Sequence, residues 1–182
     1  MQFLSEEERN AILALARQAL TEAVCDGRLL APFPTEGIFS TRCGVFVTLH
    51  ARGKLRGCIG VIDGHEPLGE SIVRCTASAA LQDPRFTQML PEEVVESEIE
   101  VSLLSPLQRI LPEEIEVGKH GLVVEQEMRR GLLLPQVAVE HHLDRERFLE
   151  ETCYKAGFSR DAWKNPETAI YGFTCEIVRQ EK

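Results

Sequence analysis

The stretch GVFVTLHARGKLRGCIGV, residues 44–61, has the pattern of two β-strands joined by a tight turn. Both halves are rich in β-branched and aliphatic residues, and ARG at 51–53 separates them. A three-residue loop that ends in glycine fits a type I turn followed by a left-handed residue. We therefore predict an antiparallel hairpin in which His50 pairs with Lys54.

This register gives the hairpin two different faces. It places Thr48 opposite Arg56 and Phe46 opposite Cys58 on one face, because side chains alternate along a strand. The other face is almost wholly apolar, and we expect it to form part of the core. Its members are Val45, Val47, Leu49, Leu55, Gly57 and Ile59.

Cys58 is the first candidate for chemistry. Arg56 lies two residues away on the same strand, so its guanidinium is expected beside the Cys58 thiol. A fixed positive charge favours the nucleophilic thiolate, and Gly57 and Gly60 would let a substrate or another backbone approach closely. The alternative is that Cys58 is a small buried residue and that the glycines make room for an alanine-rich helix. Spacing alone favours this alternative, because buried cysteine is common and usually inert.

Several other polar residues are candidates for binding or proton transfer. His120, in GKHGL, could act as a base for a thiol or make a loop hydrogen bond. Asp83 and Arg85, in QDPRF, could brace a sharp turn or present a forked donor to a carboxylate or phosphate. Gln136 and Glu140 would share one face of a short helix. The Glu140 carboxyl could then be an acid–base group or an ordinary solvated carboxylate.

The rest of the chain predicts helices and further strands. Ser5 and Glu8 form a capping box at the start of the first helix, and Asp144 is a suitable N-cap for the last one. Further helices are predicted for PLGESIVRCTASAALQ and LPEEVVES, and strands for EIEVSLLSP, GLVVEQ, RGLLLP and, as one long strand, TAIYGFTCEIVRQ. We predict one α+β domain over 1–182 with a largely antiparallel sheet flanked by helices.

Composition narrows the functional classes. The chain has 182 residues and a net charge of −9, which disfavours binding to a nucleic-acid backbone. No apolar run approaches the twenty residues of a membrane span, and MQFLSEEERN lacks a signal-peptide core. The six cysteines form no C-x-x-C pair, which argues against a zinc ribbon or a disulfide scaffold. We expect a cytoplasmic protein with no metal or cofactor.

The motifs LRGCIG, DPRF, EIEVSLLSP, GKHGLVVE, GLLLPQVAVE and CYKAGF occur in this order. This pattern resembles the AMMECR family, whose prokaryotic members are called AmmeMemoRadiSam system protein A. The resemblance implies a compact α+β fold with a smaller subdomain, and an association with a Memo-like protein and a radical-SAM protein. It supplies no reaction. The positions that it marks are 55–60, 83–86, His120 and 135–140.

Two hypotheses follow for the function. In the first, the chain is a binding or assembly component that acts with Memo-like and radical-SAM proteins, and a small molecule is a further candidate ligand. In the alternative, it is an enzyme that uses Cys58 as a nucleophile or redox thiol. Arg56 would then favour the thiolate, and His120 or Glu140 would move protons. Gly57, Gly60, Asp83, Arg85 and Gln136 would contribute to binding.

Overall fold

The computed structural model describes residues 4–180, and the chain divides into two compact units. The first unit comprises Met1–Leu104 with Glu176–Lys182, and the second comprises Ser105–Cys175. The first unit is therefore discontinuous in sequence, because the second is inserted before its last strand.

The described residues form two four-stranded sheets. This confirms the α+β class with antiparallel pairing and flanking helices, although one sheet was expected. The single domain over 1–182 stays a prediction. Its ends, 1–3 and 181–182, lie outside the described residues.

The first unit packs helices on a sheet of strand order β2-β1-β3-β8. Its elements are α1 Glu6–Cys25, a 3-10 helix Gly37–Ser40, β1 Val45–Ala51, β2 Lys54–Val61, α2 Leu68–Leu81, α3 Pro91–Glu96, β3 Ser97–Leu104 and β8 Cys175–Arg179. The predicted capping box of α1 is present. The Ser5 hydroxyl accepts the backbone N–H of Glu8, and the Glu8 carboxylate accepts that of Ser5.

The core of this unit lies between the sheet and the two long helices. Alternate residues of β1 and β3 point into it, because successive side chains of a strand face opposite ways. The fully or nearly fully buried members include Val45, Val47, Leu49, Ile99, Val101 and Leu103 from the sheet, with Ile12, Leu20, Leu68 and Ile72 from α1 and α2. The apolar face predicted for β1 is therefore confirmed.

The hairpin turn is shorter than predicted. Ala51 pairs with Lys54, so the loop has two residues, and both have positive φ: 53° at Arg52 and 73° at Gly53. A two-residue turn of this kind matches the right-handed twist of the strands. The predicted pairing of His50 with Lys54 is therefore wrong.

A bulge in β2 changes which residues face each other. His50 pairs with Leu55, but Leu49 pairs with Gly57, so Arg56 is the extra residue on β2. Beyond the bulge, Thr48 faces Cys58, in place of the predicted Arg56. The bulge also turns Leu55 away from the core, where it was predicted, and leaves it 40% exposed.

The two glycines that flank Cys58 have different structural reasons. A Cβ atom at Gly57 would collide with the backbone carbonyl of Ala79 in α2. A Cβ atom at Gly60 would collide with the ring of Phe46, its partner on β1. Both close approaches need a residue without a side chain.

The second unit packs two helices on a sheet of strand order β4-β7-β5-β6. Its elements are β4 Gln108–Arg109, β5 Gly121–Gln126, β6 Arg129–Leu133, α4 Pro135–Glu140, α5 Arg145–Lys155, β7 Ala169–Phe173 and the 3-10 helices Pro112–Glu114 and Ala162–Lys164. Asp144 caps α5 as predicted, since its carboxylate accepts the N–H of Arg147 at 2.9 Å. The core includes Leu122, Val124, Phe148, Leu149 and Cys153.

The predicted long closing strand is broken at Thr174. The part before it, β7, pairs within the second sheet, and the part after it, β8, belongs to the first sheet. Ser105 and Thr174 hold the break. The backbone N–H of Ser105 donates to the Thr174 carbonyl at 2.9 Å, and that of Thr174 donates to the Ser105 hydroxyl at 2.9 Å.

Gly57→Ala is expected to destabilise the protein by about 3 kcal/mol, because the added methyl group meets backbone that cannot move alone. Gly53→Asn is the control. Its surroundings are open and asparagine tolerates a positive φ, so we expect a loss below about 1 kcal/mol. Urea unfolding followed by circular dichroism measures both values. Equal losses in the two variants would contradict the proposed contact with α2.

Candidate functional site

The backbone of Cys58 lies at an exposed edge of the first sheet, because β2 is an outer strand. Within residues 4–180, no further strand pairs with the outer side of β2. Instead, the Cys58 N–H donates to Oδ2 of Asp83 at 2.9 Å, and its carbonyl accepts from Nη2 of Arg85 at 3.3 Å. One acidic and one basic side chain thus satisfy the two backbone groups that an edge strand leaves open.

Asp83 is the buried centre of this arrangement. Besides the Cys58 N–H, its carboxylate accepts three hydrogen bonds from Arg85, at 2.6 Å from Nη2, 2.9 Å from Nε and 3.1 Å from the backbone N–H. Asp83 is 4% exposed. These donors, chiefly the Arg85 side chain, hold the pKa of Asp83 well below its usual range.

The local sequence explains how these groups come together. Asp83 follows the end of α2, and Pro84 prevents the helix from continuing. The chain then turns, with the Phe86 N–H donating to the Asp83 carbonyl at 3.1 Å. The braced turn predicted for QDPRF is present, and the fork of Arg85 is bound to Asp83. Presentation of Arg85 to a carboxylate or phosphate of a ligand stays a prediction.

The Cys58 thiol is half-buried and has polar neighbours. The Thr48 hydroxyl donates to Sγ at 3.3 Å from the adjacent strand β1. Arg85, which donates to the carbonyl of the same residue, has 54% of its side chain exposed. The pKa of Arg85 is raised, chiefly by its hydrogen bonds to Asp83, with smaller contributions from the Asp83 charge and the Cys58 thiol. Sγ is therefore not sealed among aliphatic side chains.

Arg56 does not have the predicted role. Its guanidinium forms a two-point ion pair with Glu93 of α3, at 2.8 and 3.0 Å, and donates to the carbonyls of Thr87 and Gln88. Only 14% of its side chain is exposed. Because the bulge displaces Arg56 from the row of Cys58, Arg85 is the arginine that bonds to Cys58, and Arg56 fastens α3 to β2.

His120, Glu140 and Gln136 belong to the second unit. Nδ1 of His120 accepts the backbone N–H of Glu116 at 3.1 Å, which is the loop hydrogen bond that was its alternative role. Glu140 is exposed at the end of α4. Gln136 is half-buried, and its amide oxygen has no hydrogen-bond partner among the described residues.

Sequence reasoning missed two side-chain contacts of the LRGCIG segment, that of Thr48 with Cys58 and that of Glu93 with Arg56. Thr48 lies on the predicted face of the hairpin. The prediction placed it opposite Arg56 because it did not include the bulge. For Glu93 the sequence does contain a local signal, because a glutamate three residues after the N-cap is typical of a helix start. The Glu93 carboxylate accepts the Leu90 N–H at 2.8 Å.

Within residues 4–180, no three side chains of His, Cys, Asp or Glu are placed to hold a metal ion. Over the same range, no helix is long and apolar enough to cross a membrane.

The sequence profile of the family described as AMMECR1 matches residues 13–178. The chain belongs to the AMMECR1 family. A protein of Methanothermobacter thermautotrophicus is 40% identical, with 98% of this chain and 97% of the relative aligned. A protein of Thermococcus gammatolerans is 41% identical over 98% of this chain and 93% of its own length.

A solved structure has the same fold as this AMMECR1 chain. It is the crystal structure of the uncharacterised protein PH0010 from Pyrococcus horikoshii, with a TM-score of 0.86 and 40% sequence identity. The match covers 91% of this chain and 88% of that one. The names of these relatives state no activity, so the function must be argued from the site itself.

Asp83→Asn is expected to destabilise the protein by about 2 kcal/mol at neutral pH. It leaves the Cys58 N–H and Arg85 without their anionic acceptor, and the partial exposure of Arg85 limits the electrostatic loss. The lowered pKa of Asp83 means that its contribution is present above about pH 4 and is lost as pH falls further. The difference between wild type and variant should therefore shrink from about pH 5 to about pH 3 in urea unfolding.

Asp144→Asn serves as the matched control for this substitution. Asp144 is an exposed N-cap, and asparagine caps a helix about as well, so its cost should stay below about 0.5 kcal/mol. If Asp83→Asn cost no more than Asp144→Asn at any pH, the Asp83 carboxylate would not hold the edge of β2.

Proposed function

We propose that this chain is a cytoplasmic binding or assembly component that acts with a Memo-like protein and a radical-SAM protein. The resemblance to the AMMECR family supplies these two partner classes. The six cysteines, which all lie within residues 4–180, form no disulfide bond, and this is typical of a reducing compartment. One structural observation supports the binding role: the Arg85 guanidinium donates to the Cys58 carbonyl, and Asp83 holds both Arg85 and the Cys58 backbone in place.

The other polar groups of the motif are used inside the first unit. Arg56 is bound to α3, and the backbone groups of Cys58 are bound to Asp83 and Arg85. Arg85 remains half-exposed. Its Nε and Nη2 are bound to Asp83 and to the Cys58 carbonyl, so the remaining, exposed end of the charged guanidinium is the part that a carboxylate or phosphate could contact. A donor that is already held in position loses little conformational freedom when a partner binds. This arrangement supports recognition of an acidic group on a partner protein.

The binding role is tested with a purified Memo-like protein from the same genome in a biolayer interferometry titration. Arg85→Lys keeps the charge, but a lysine cannot bind Asp83 at two points and also present a donor outwards, so we expect about tenfold weaker binding. Cys58→Ser should bind like wild type. The control is Arg52→Lys, since Arg52 is an exposed arginine of the same unit that pairs with Glu96.

Two results would contradict the binding role. One is wild-type protein that binds neither the Memo-like protein nor the radical-SAM protein at micromolar concentration. The other is an equal effect of Arg85→Lys and Arg52→Lys, because the contact would then depend on general charge and not on this site.

The second candidate function is an enzyme that uses Cys58 as a nucleophile or redox thiol. The observation that favours it is the surroundings of Cys58, where the Thr48 hydroxyl donates to Sγ and the Arg85 guanidinium donates to the carbonyl of the same residue. Hydrogen-bond donors and positive charge beside a sulfur stabilise a thiolate. In this version Arg85 takes the place that the sequence assigned to Arg56.

Alkylation by iodoacetamide, followed by peptide mass spectrometry, tests the thiol. Cys25 is exposed and should react readily, whereas burial raises the pKa of Cys75 to about 11 and should protect it. We expect Cys58 to react well before Cys75. Arg85→Lys should change the Cys58 rate by at least about threefold, and Arg56→Lys should not. A Cys58 that reacts no faster than Cys75 below about pH 9 would exclude the nucleophile role.

A further inference from the structure

A cleft of about 720 Å³ lies in the second unit, beside the start of α5. Its wall is largely apolar and includes Ile115, Leu143, Leu149 and Trp163. This volume is in the range of small-molecule sites, in which an apolar wall surrounds a few polar groups. The polar groups of the cleft therefore decide which kind of molecule it would accept.

One of these polar groups is a buried donor without an acceptor. The indole Nε1 of Trp163 is shielded from solvent and has no hydrogen-bond partner among the described residues. A buried indole N–H normally has a partner, because a buried donor that stays unpaired costs free energy. An acceptor carried by a ligand would remove this cost. Trp163 thus points to a molecule with a hydrogen-bond acceptor.

A second donor in the cleft is the guanidinium of Arg145, the first residue of α5. Its Nε donates to the Ile115 carbonyl at 3.1 Å, which holds the side chain at the cleft. Within residues 4–180, Arg145 forms no ion pair. Its two terminal nitrogens therefore remain available, and a guanidinium can bind both oxygens of a carboxylate.

The acidic residues that line the cleft are Glu113, Glu116, Asp144 and Glu146. Glu116 pairs with Lys119 at 2.7 Å, and Glu146 lies 3.7 Å from Lys164. Asp144 serves as the N-cap of α5, and Glu113 is exposed to water, which screens its charge. Basic side chains and the helix end therefore largely balance these acids, whereas the Arg145 guanidinium has no carboxylate of its own.

We infer that this cleft binds a small organic carboxylate with an apolar body. The carboxylate pairs with Arg145 and accepts the indole N–H of Trp163, whose ring turns towards the cleft. The apolar body rests on Leu143 and Leu149. An amine would be repelled by Arg145 and would leave the indole N–H unpaired. The inference does not depend on the proposed function, because no residue of the LRGCIG segment lines the cleft.

Three probes that share one aromatic body test the inference. Phenylacetate carries a carboxylate, 2-phenylacetamide a neutral carbonyl group and phenethylamine an ammonium group. In isothermal titration calorimetry, we expect phenylacetate to bind with a dissociation constant below about 1 mM, and at least about tenfold more tightly than the other two. Trp163 is the only tryptophan of the chain, so the protein fluorescence should change as phenylacetate saturates the site.

Variants tie the binding to the cleft. Arg145→Gln should weaken binding of phenylacetate at least about tenfold. Trp163→Phe keeps an aromatic ring but removes the N–H, so we expect at least about threefold weaker binding. The matched control is Arg147→Gln, which should bind like wild type, since Arg147 is on the same helix, pairs with Glu150 and lies outside the cleft. Arg145 is exposed, so its variant tests the site even if Trp163→Phe fails to fold.

Three results would overturn the inference. The first is the absence of saturable binding by phenylacetate, and the second is binding of 2-phenylacetamide or phenethylamine that is as tight. The third is binding that Arg145→Gln weakens no more than Arg147→Gln, or that a folded Trp163→Phe does not weaken. Because these measurements use no partner protein and no reaction of Cys58, their outcome is separate from that of the proposed function.

Discussion

The structure of the LRGCIG segment depends on how one edge of a sheet is closed. An outer strand presents backbone N–H and C=O groups that would attract another strand. At Cys58 these groups are bound by the side chains of Asp83 and Arg85. The buried Asp83 carboxylate remains ionised because four hydrogen bonds converge on it, and so a single acidic side chain connects the end of α2, the DPRF turn and the hairpin.

Much of the fold could be predicted from local patterns. The capping box at Ser5, the N-cap at Asp144 and the positions of the helices depend on residues close in sequence, and the structure confirms them. The predicted hairpin register was wrong, because the extra residue Arg56 shifts every later pair by one. The sequence of a glycine-rich strand does not show where such a bulge occurs. The break at Thr174 was not predicted, because the residues before and after it both have the composition of a strand. They belong to different strands only because each pairs with a different sheet.

The candidate site was predicted less well, and the reason is again distance in sequence. Cys58, Asp83 and Arg85 were each recognised, but the link between them crosses 25 residues and could not be inferred from spacing. Arg56 was assigned to the thiol from a period-two rule that the bulge breaks. Thr48 and Glu93 were missed because their roles are set by partners on other elements. Residue type alone made candidates of His120, Glu140 and Gln136, and the structure places all three in the second unit.

The order of elements along the chain determines how far the first unit can fold while the ribosome is still making the protein. The first 104 residues contain three of the four strands of the first sheet, but β8 follows the entire second unit. Until it emerges, the outer side of β3 has no neighbouring strand, and Arg9 of α1 lacks Glu176 as its partner. Folding from the N-terminus therefore leaves a growing chain with one unpaired strand edge, able to pair with another strand, until Cys175–Arg179 has been translated.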